Sequence, residues 1–114
     1  MELENQVNDL CNKLTQSIKI LAKYGKELAE AEKNYKITLR QEALKLRSEE
    51  NMPVTLINQI IYGIDEVAEL RLKRDIAQTM RDVNLEYIYA TKLKIRILEA
   101  QLEREWSTND KGGR

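Results

Sequence analysis

The sequence predicts an all-α protein: a long antiparallel helical hairpin, coiled-coil-like, with a short connecting helix, completed as a bundle by oligomerisation. Three observations predict it. Apolar residues recur at three- and four-residue intervals along two long stretches, the spacing of one helix face. Breakers are scarce, four Gly and one Pro in 114 residues, too few for the turns of a β fold. Charged residues make up 33% of the chain and aromatics 5%, with no Phe, a composition of long helices, and the 42% of hydrophobic residues is too high for a disordered chain.

The first helix is expected from about Leu3 to about Ser48. Val7, Leu14, Leu21, Leu28 and Tyr35 recur with heptad spacing, a second row holds Leu3, Leu10, Tyr24 and Ala31, and a third holds Cys11, Ile18, Leu39 and Leu46. A two-stranded seam uses two rows, so this stripe is wide enough for more than one neighbour. Gly25 falls in the third row, where it is either a tolerated break costing ~1 kcal/mol relative to Ala or the site of a close helix crossing.

The stretch SEENMPVT ends this helix, because Pro53 disfavours α geometry at Met52 and has no backbone N–H. A short helix follows over about 55–62, with Thr55 as its cap and Gly63 closing it in left-handed geometry; Leu56, Ile57, Ile60 and Ile61 give it an apolar plug across the hairpin end. Asp65 caps the last helix, with Glu66 and Glu69 suited to the positive end of its dipole. That helix is expected over about 65–106, its apolar arc near 180° and its Arg71, Arg74 and Arg81 on the polar half. Residues 1–107 thus form a single helical domain, and 108–114, polar and Gly-rich, a flexible tail.

Two helices of similar length on a short connector pair antiparallel. One partner cannot cover an arc that wide, so the uncovered part reads as an interface, with a homodimer as the simplest homo-oligomer. The expected oligomer contacts are Leu70, Ile76, Met80, Val83, Tyr87, Leu98, Leu102 and Trp106.

Lys plus Arg equals Asp plus Glu at 19 each, yet the charges are segregated. Residues 13–47 carry nine basic and four acidic groups, 71–97 seven basic and three acidic, and 48–70 five acidic and no basic ones. A hairpin would set the two basic segments side by side. The bland reading is a solvated face with ion pairs such as Lys26–Glu30. The sharper one is an anion or nucleic-acid surface of Lys19, Lys23, Lys26, Lys33, Arg40, Arg71, Arg74, Arg81, Lys92 and Arg96, with Tyr89 as an exposed contact. Phosphate contacts of that kind supply affinity without reading sequence.

Catalytic signatures are missing. The chain has no His, hence neither the commonest acid–base group nor the usual metal ligand, and no phosphate-binding Gly-rich loop or nucleophile elbow. Glu27, Glu30, Glu32, Glu99 and Glu103 lack the Glu-x-x-His pairing of helix-bundle metal sites. Cys11 lacks an activating neighbour and reads as a small core residue. The chain is therefore expected to be no enzyme and to use no cofactor or metal. A lone Cys fits a reducing compartment, no apolar run approaches the ~18 residues of a membrane span, and the opening MELENQVNDL is unlike a signal peptide; the protein reads as cytoplasmic, without a membrane partner.

The stretch EVAELRLKRDIAQTMRDVNLEYIYATKLKIRILEAQLEREW, with the preceding PVTLINQIIYGIDEVAELR, resembles small helical proteins encoded by phages and prophages of Gram-positive bacteria, over roughly residues 50–107. The resemblance implies an early-gene phage accessory protein of the host cytoplasm. Three functions are then in contention: a non-enzymatic protein that binds a host or phage protein through a helical bundle, for instance inhibiting a host defence system; a nucleic-acid-binding accessory of phage replication or recombination; and a bundle that sequesters a nucleotide signal between subunits.

Overall fold

A computed structural model describes the backbone of residues 2–112 and the side chains of 2–108. Three helices and one 3-10 turn account for the elements: α1 (Glu2–Glu49), α2 (Val54–Ile60), the 3-10 turn Ile61–Gly63 and α3 (Asp65–Gly112). No strand occurs among the described residues. The long last helix continues beyond Trp106, where the sequence suggested its end, to Gly112. The chain divides into two compact units, one of residues up to Ala22 and from Asp82 onward, the other Lys23–Arg81.

The second unit holds the connector and a core of Tyr35, Leu46, Ile57, Ile61 and Val67, against which Leu39, Ala43, Met52, Ile64 and Leu70 pack. Val67 has no exposed surface at all. Asn51 turns the chain out of α1: its φ of 52° is left-handed, a geometry that Asn adopts more readily than most residues. The Met52 N–H then donates back to the Leu46 carbonyl at 3.2 Å, and the Arg47 Nη1 donates to the Met52 carbonyl at 3.0 Å. Met52 swings inward as a result, and Pro53 starts the next helix.

Three expectations about the connector are corrected. Thr55 is not the cap of α2; Pro53 holds that position with ψ 144° and no side-chain bond, its carbonyl accepting from the Leu56 and Ile57 N–H groups. A missing proline N–H is no loss at a helix start. Gly63 is not left-handed, for no glycine among the described residues has positive φ; a 3-10 turn closes α2 instead. Asp65 does not cap α3: Ile64, extended at ψ 130°, holds that place, since its carbonyl accepts from the Ala68 N–H at 2.8 Å. Asp65 and Glu66 lie in the first turn, where their charges still favour the helix dipole.

Within each unit the segments of α1 and α3 run antiparallel. In the first, the Asn84 Nδ2 donates to the Ser17 carbonyl at 3.0 Å, and Lys94, Ile97 and Leu98 lie across from Gln6, Asp9, Leu10 and Lys13. In the second, Arg74 lies over Tyr35, and Leu70 to Met80 run beside Glu27 to Asn34. The α1 seam is a two-row heptad: Leu3, Val7, Leu10, Leu14, Ser17 and Leu21 in the first unit and Tyr24, Leu28, Ala31 and Tyr35 in the second are all buried or half-buried. Cys11 is exposed and so is Ile18, which corrects the reading of Cys11 as core. Cys11 and Ile18 sit on the shoulder of the helix, whereas Leu39 and Leu46 of the same row pack into the core of the second unit. Gly25 has open space where a Cβ would stand, so no close crossing occurs there within the chain.

The α3 seam reads Val67, Leu70, Arg74, Ala77 and Arg81 in the second unit and Asn84, Ile88, Thr91, Ile95 and Leu98 in the first. Several of these are polar, and each has a physical solution. Thr91, buried, returns its hydroxyl to the Tyr87 carbonyl at 2.8 Å. No buried side-chain N or O among the described residues lacks a hydrogen-bond partner.

Candidate interaction surface

Part of what α3 does not bury against α1 forms a second row. Ile76 and Met80 in the second unit, and Val83, Tyr87 and Ile97 in the first, follow alternating four- and three-residue steps with Ala90 and Lys94 between. All five apolar members are exposed, Val83 at 62% and Tyr87 at 46%. At 100° per residue this row is rotated by roughly 110° from the α1-facing seam. Within each unit these residues therefore lie on a separate face of α3, and α1 does not reach over them.

What α1 offers beside that row is polar. The groove of about 420 Å³ in the first unit is walled by Gln6, Asp9 and Lys13 opposite Lys94 and Ile97. The groove of about 310 Å³ in the second is walled by Glu27, Glu30 and Asn34 opposite Ile76 and Met80. In both, the apolar wall is contributed mainly by α3.

The eight residues expected at an oligomer contact thus separate into two groups. Leu70, Leu98 and Leu102 are half-buried within the chain; Leu98 shares a groove with Leu10. Ile76, Met80, Val83 and Tyr87 are exposed, as is Trp106 at 72%. Only the second group is a free surface.

The candidate anion-binding residues also separate. The Arg74 guanidinium lies 4.7 Å from the Tyr35 ring centroid, and its Nε and Nη2 both donate to the Asp75 Oδ1, at 3.0 and 2.8 Å. That hydrogen bond, foremost, raises its pKa above the ordinary Arg value, against an opposing effect of burial. Arg71 lies 5.2 Å from the Tyr62 ring centroid. Arg81 is half-buried and already engaged. Cation–π stacking and stem burial are the usual ways an Arg occupies a seam. Arg74 and Arg81, expected on the polar face, lie half-buried in the α3 seam, whereas Arg71 stays exposed while it stacks on Tyr62. Lys19, Lys23, Lys26, Lys33, Arg40, Lys92 and Arg96 are exposed, and Tyr89 is 54% exposed. On the surface Lys36 pairs with Glu32 at 3.7 Å and Arg74 with Asp75 at 2.8 Å; Lys26 and Glu30 do not pair.

The cation–π contacts were missed by reasoning from sequence, although a signal existed. Val67, Arg74, Arg81, Ile88, Ile95 and Leu102 recur every seven residues, so two arginines stand in a row whose other members are apolar. Counting each arginine as polar hid the row.

Among the described residues no group of three or more His, Cys, Asp or Glu could hold a metal ion, and no helix is long and apolar enough to cross a membrane. No protein-family model, curated protein or solved structure matches the chain.

Proposed function

We propose that the protein is a non-enzymatic interaction protein that pairs with a second copy of itself through the outward row of α3, the two copies completing a helical bundle. The observation that carries this reading is the exposure of Ile76, Met80, Val83, Tyr87 and Ile97 at coiled-coil spacing. A helix that needed only α1 would have no use for a second apolar row, and exposed apolar surface of this kind marks an interface. A C2 pair is the simplest assembly because one patch then serves both copies. The resemblance of residues 50–107 to small phage and prophage proteins supports a narrower form: a phage accessory protein of the host cytoplasm whose assembled bundle binds a host or phage protein, a defence component among the candidates.

Sedimentation velocity at high micromolar concentration tests the pairing. The native chain should sediment as a dimer, and Tyr87→Asp should sediment as a monomer of unchanged helicity, because a buried unpaired carboxylate is expensive while the free monomer leaves it wet. A native monomer refutes the proposal. A nucleic-acid role has less support, because two of its eleven candidate residues, Arg74 and Arg81, are half-buried in the α3 seam. It would show as duplex binding whose affinity falls with salt at a slope of about −0.9 per phosphate neutralised.

A further inference from the structure

The connector carries a surface that neither the fold nor the proposed pairing uses. Helix α2 has seven residues. Ile57 in it and Ile61 just after it are buried in the core. Leu56 and Ile60, four residues apart and therefore neighbours on the helix surface, are 41% and 39% exposed, and Val54 on the other side is 58% exposed. A connector that only had to cap its unit would need the Ile57–Ile61 pair and could be polar elsewhere. Large apolar side chains displayed on a single short helix invite an explanation other than folding.

Charge supplies one. Residues 48–70 hold Glu49, Glu50, Asp65, Glu66 and Glu69 and no Lys or Arg. All five carboxylates are exposed, and among the described residues none is in an ion pair. The arginines that bracket the stretch are committed elsewhere, Arg47 to the Met52 carbonyl and Arg71 to the Tyr62 ring. The other side of α2 differs: the groove of about 270 Å³ between α1 and α2 contains Lys36 and Arg40 and would repel a cation. Leu56 and Ile60 do not line that groove.

We propose that the flank formed by Leu56 and Ile60 docks a basic amphipathic segment of a partner protein, its apolar face on these two residues and its Lys or Arg side chains among the five carboxylates. Apolar contact provides the area, and the unpaired acids provide orientation and faster encounter. Helix-on-groove recognition with apolar anchors at helical spacing is a common mode of peptide binding. Leu56 and Ile60 lie outside the outward row of α3; of the five carboxylates, Glu69 shares a groove with Ile76 of that row.

The test uses the full chain and a fluorescently labelled synthetic helix of Leu and Lys at amphipathic spacing, read by anisotropy. The expected result is saturable binding that weakens with salt, at least about tenfold weaker for Leu56→Ser with Ile60→Ser. Replacing Glu49, Glu50 and Glu66 by Gln should weaken it similarly, mainly through slower association, and these exposed substitutions leave the core untouched. A matched helix with Glu for Lys should not bind, and Tyr87→Ser should bind the Lys helix as the native chain does. Absence of binding, equal binding of the Glu helix, or native affinity in both variants overturns the proposal. Loss of self-association in the Leu56→Ser, Ile60→Ser chain also overturns it, because the flank would then be a contact between copies.

Discussion

Replacing Val67 by Ala tests whether the buried cluster of the second unit holds the connector in place. Val67 is wholly buried among Tyr35, Leu46, Ile57 and Ile61. The change removes two methyl-sized groups, worth about 1.6 kcal/mol at ~0.8 kcal/mol each. A cavity of roughly 50 Å³ adds up to about 1.2 kcal/mol at ~24 cal/mol per Å³ if nothing relaxes. The expected loss is therefore about 2–3 kcal/mol, or roughly 10 °C in Tm for a chain of this length. Val54→Ala is the matched control: the chemistry is the same, but that side chain is 58% exposed, so the change should stay within about 0.5 kcal/mol. Urea unfolding followed by far-ultraviolet circular dichroism, at one fixed protein concentration, measures both. Equal losses at the two positions, or a loss below about 1 kcal/mol at Val67, would refute the reasoning.

Two further outcomes follow from single residues. Gly25→Ala should stabilise the chain by about 1 kcal/mol, since an added Cβ meets open space mid-helix and Ala is the better helix former; a loss of stability would mean that another helix crosses there in the assembly. Asn84→Asp should destabilise by about 1–3 kcal/mol at neutral pH, because a carboxylate cannot donate to the Ser17 carbonyl and is left half-buried beside it. Its folded pKa should lie above the unfolded value, so the stability lost at neutral pH returns as pH falls through the folded pKa and the carboxyl regains a proton to donate; a pH-independent penalty in urea melts would contradict this.

The helices were legible in the sequence because periodicity and breakers act locally. Heptad spacing placed α1 and α3, and Pro53 placed the break between α1 and α2. The connector's details were less legible, because several residues compete for each role. Asn51 and Gly63 both suit a left-handed position, and Asn51 took it where α1 ends ahead of Pro53, while a 3-10 turn carries the chain past Gly63 without positive φ. The candidate surface was half legible. An apolar arc near 180° on α3 correctly signalled more surface than α1 covers. Which half would face α1 depended on Arg74 stacking over Tyr35, a pairing between residues 39 apart that no local pattern reveals. Once those arginines lie in the seam, Ile76, Met80, Val83 and Tyr87 turn outward.

The central claim, that a second copy covers the outward row of α3, is tested most directly by thiol protection. Val83→Cys in a Cys11→Ser background keeps the row apolar and places a single reactive thiol in it, while Leu44→Cys in the same background places one on an exposed position of α1. Alkylation rates are measured across protein concentration alongside sedimentation. The account predicts that the thiol at position 83 reacts freely in dilute solution and becomes protected in step with dimer formation, while the thiol at 44 reacts at one rate throughout. A position-83 rate that does not change with concentration would contradict it.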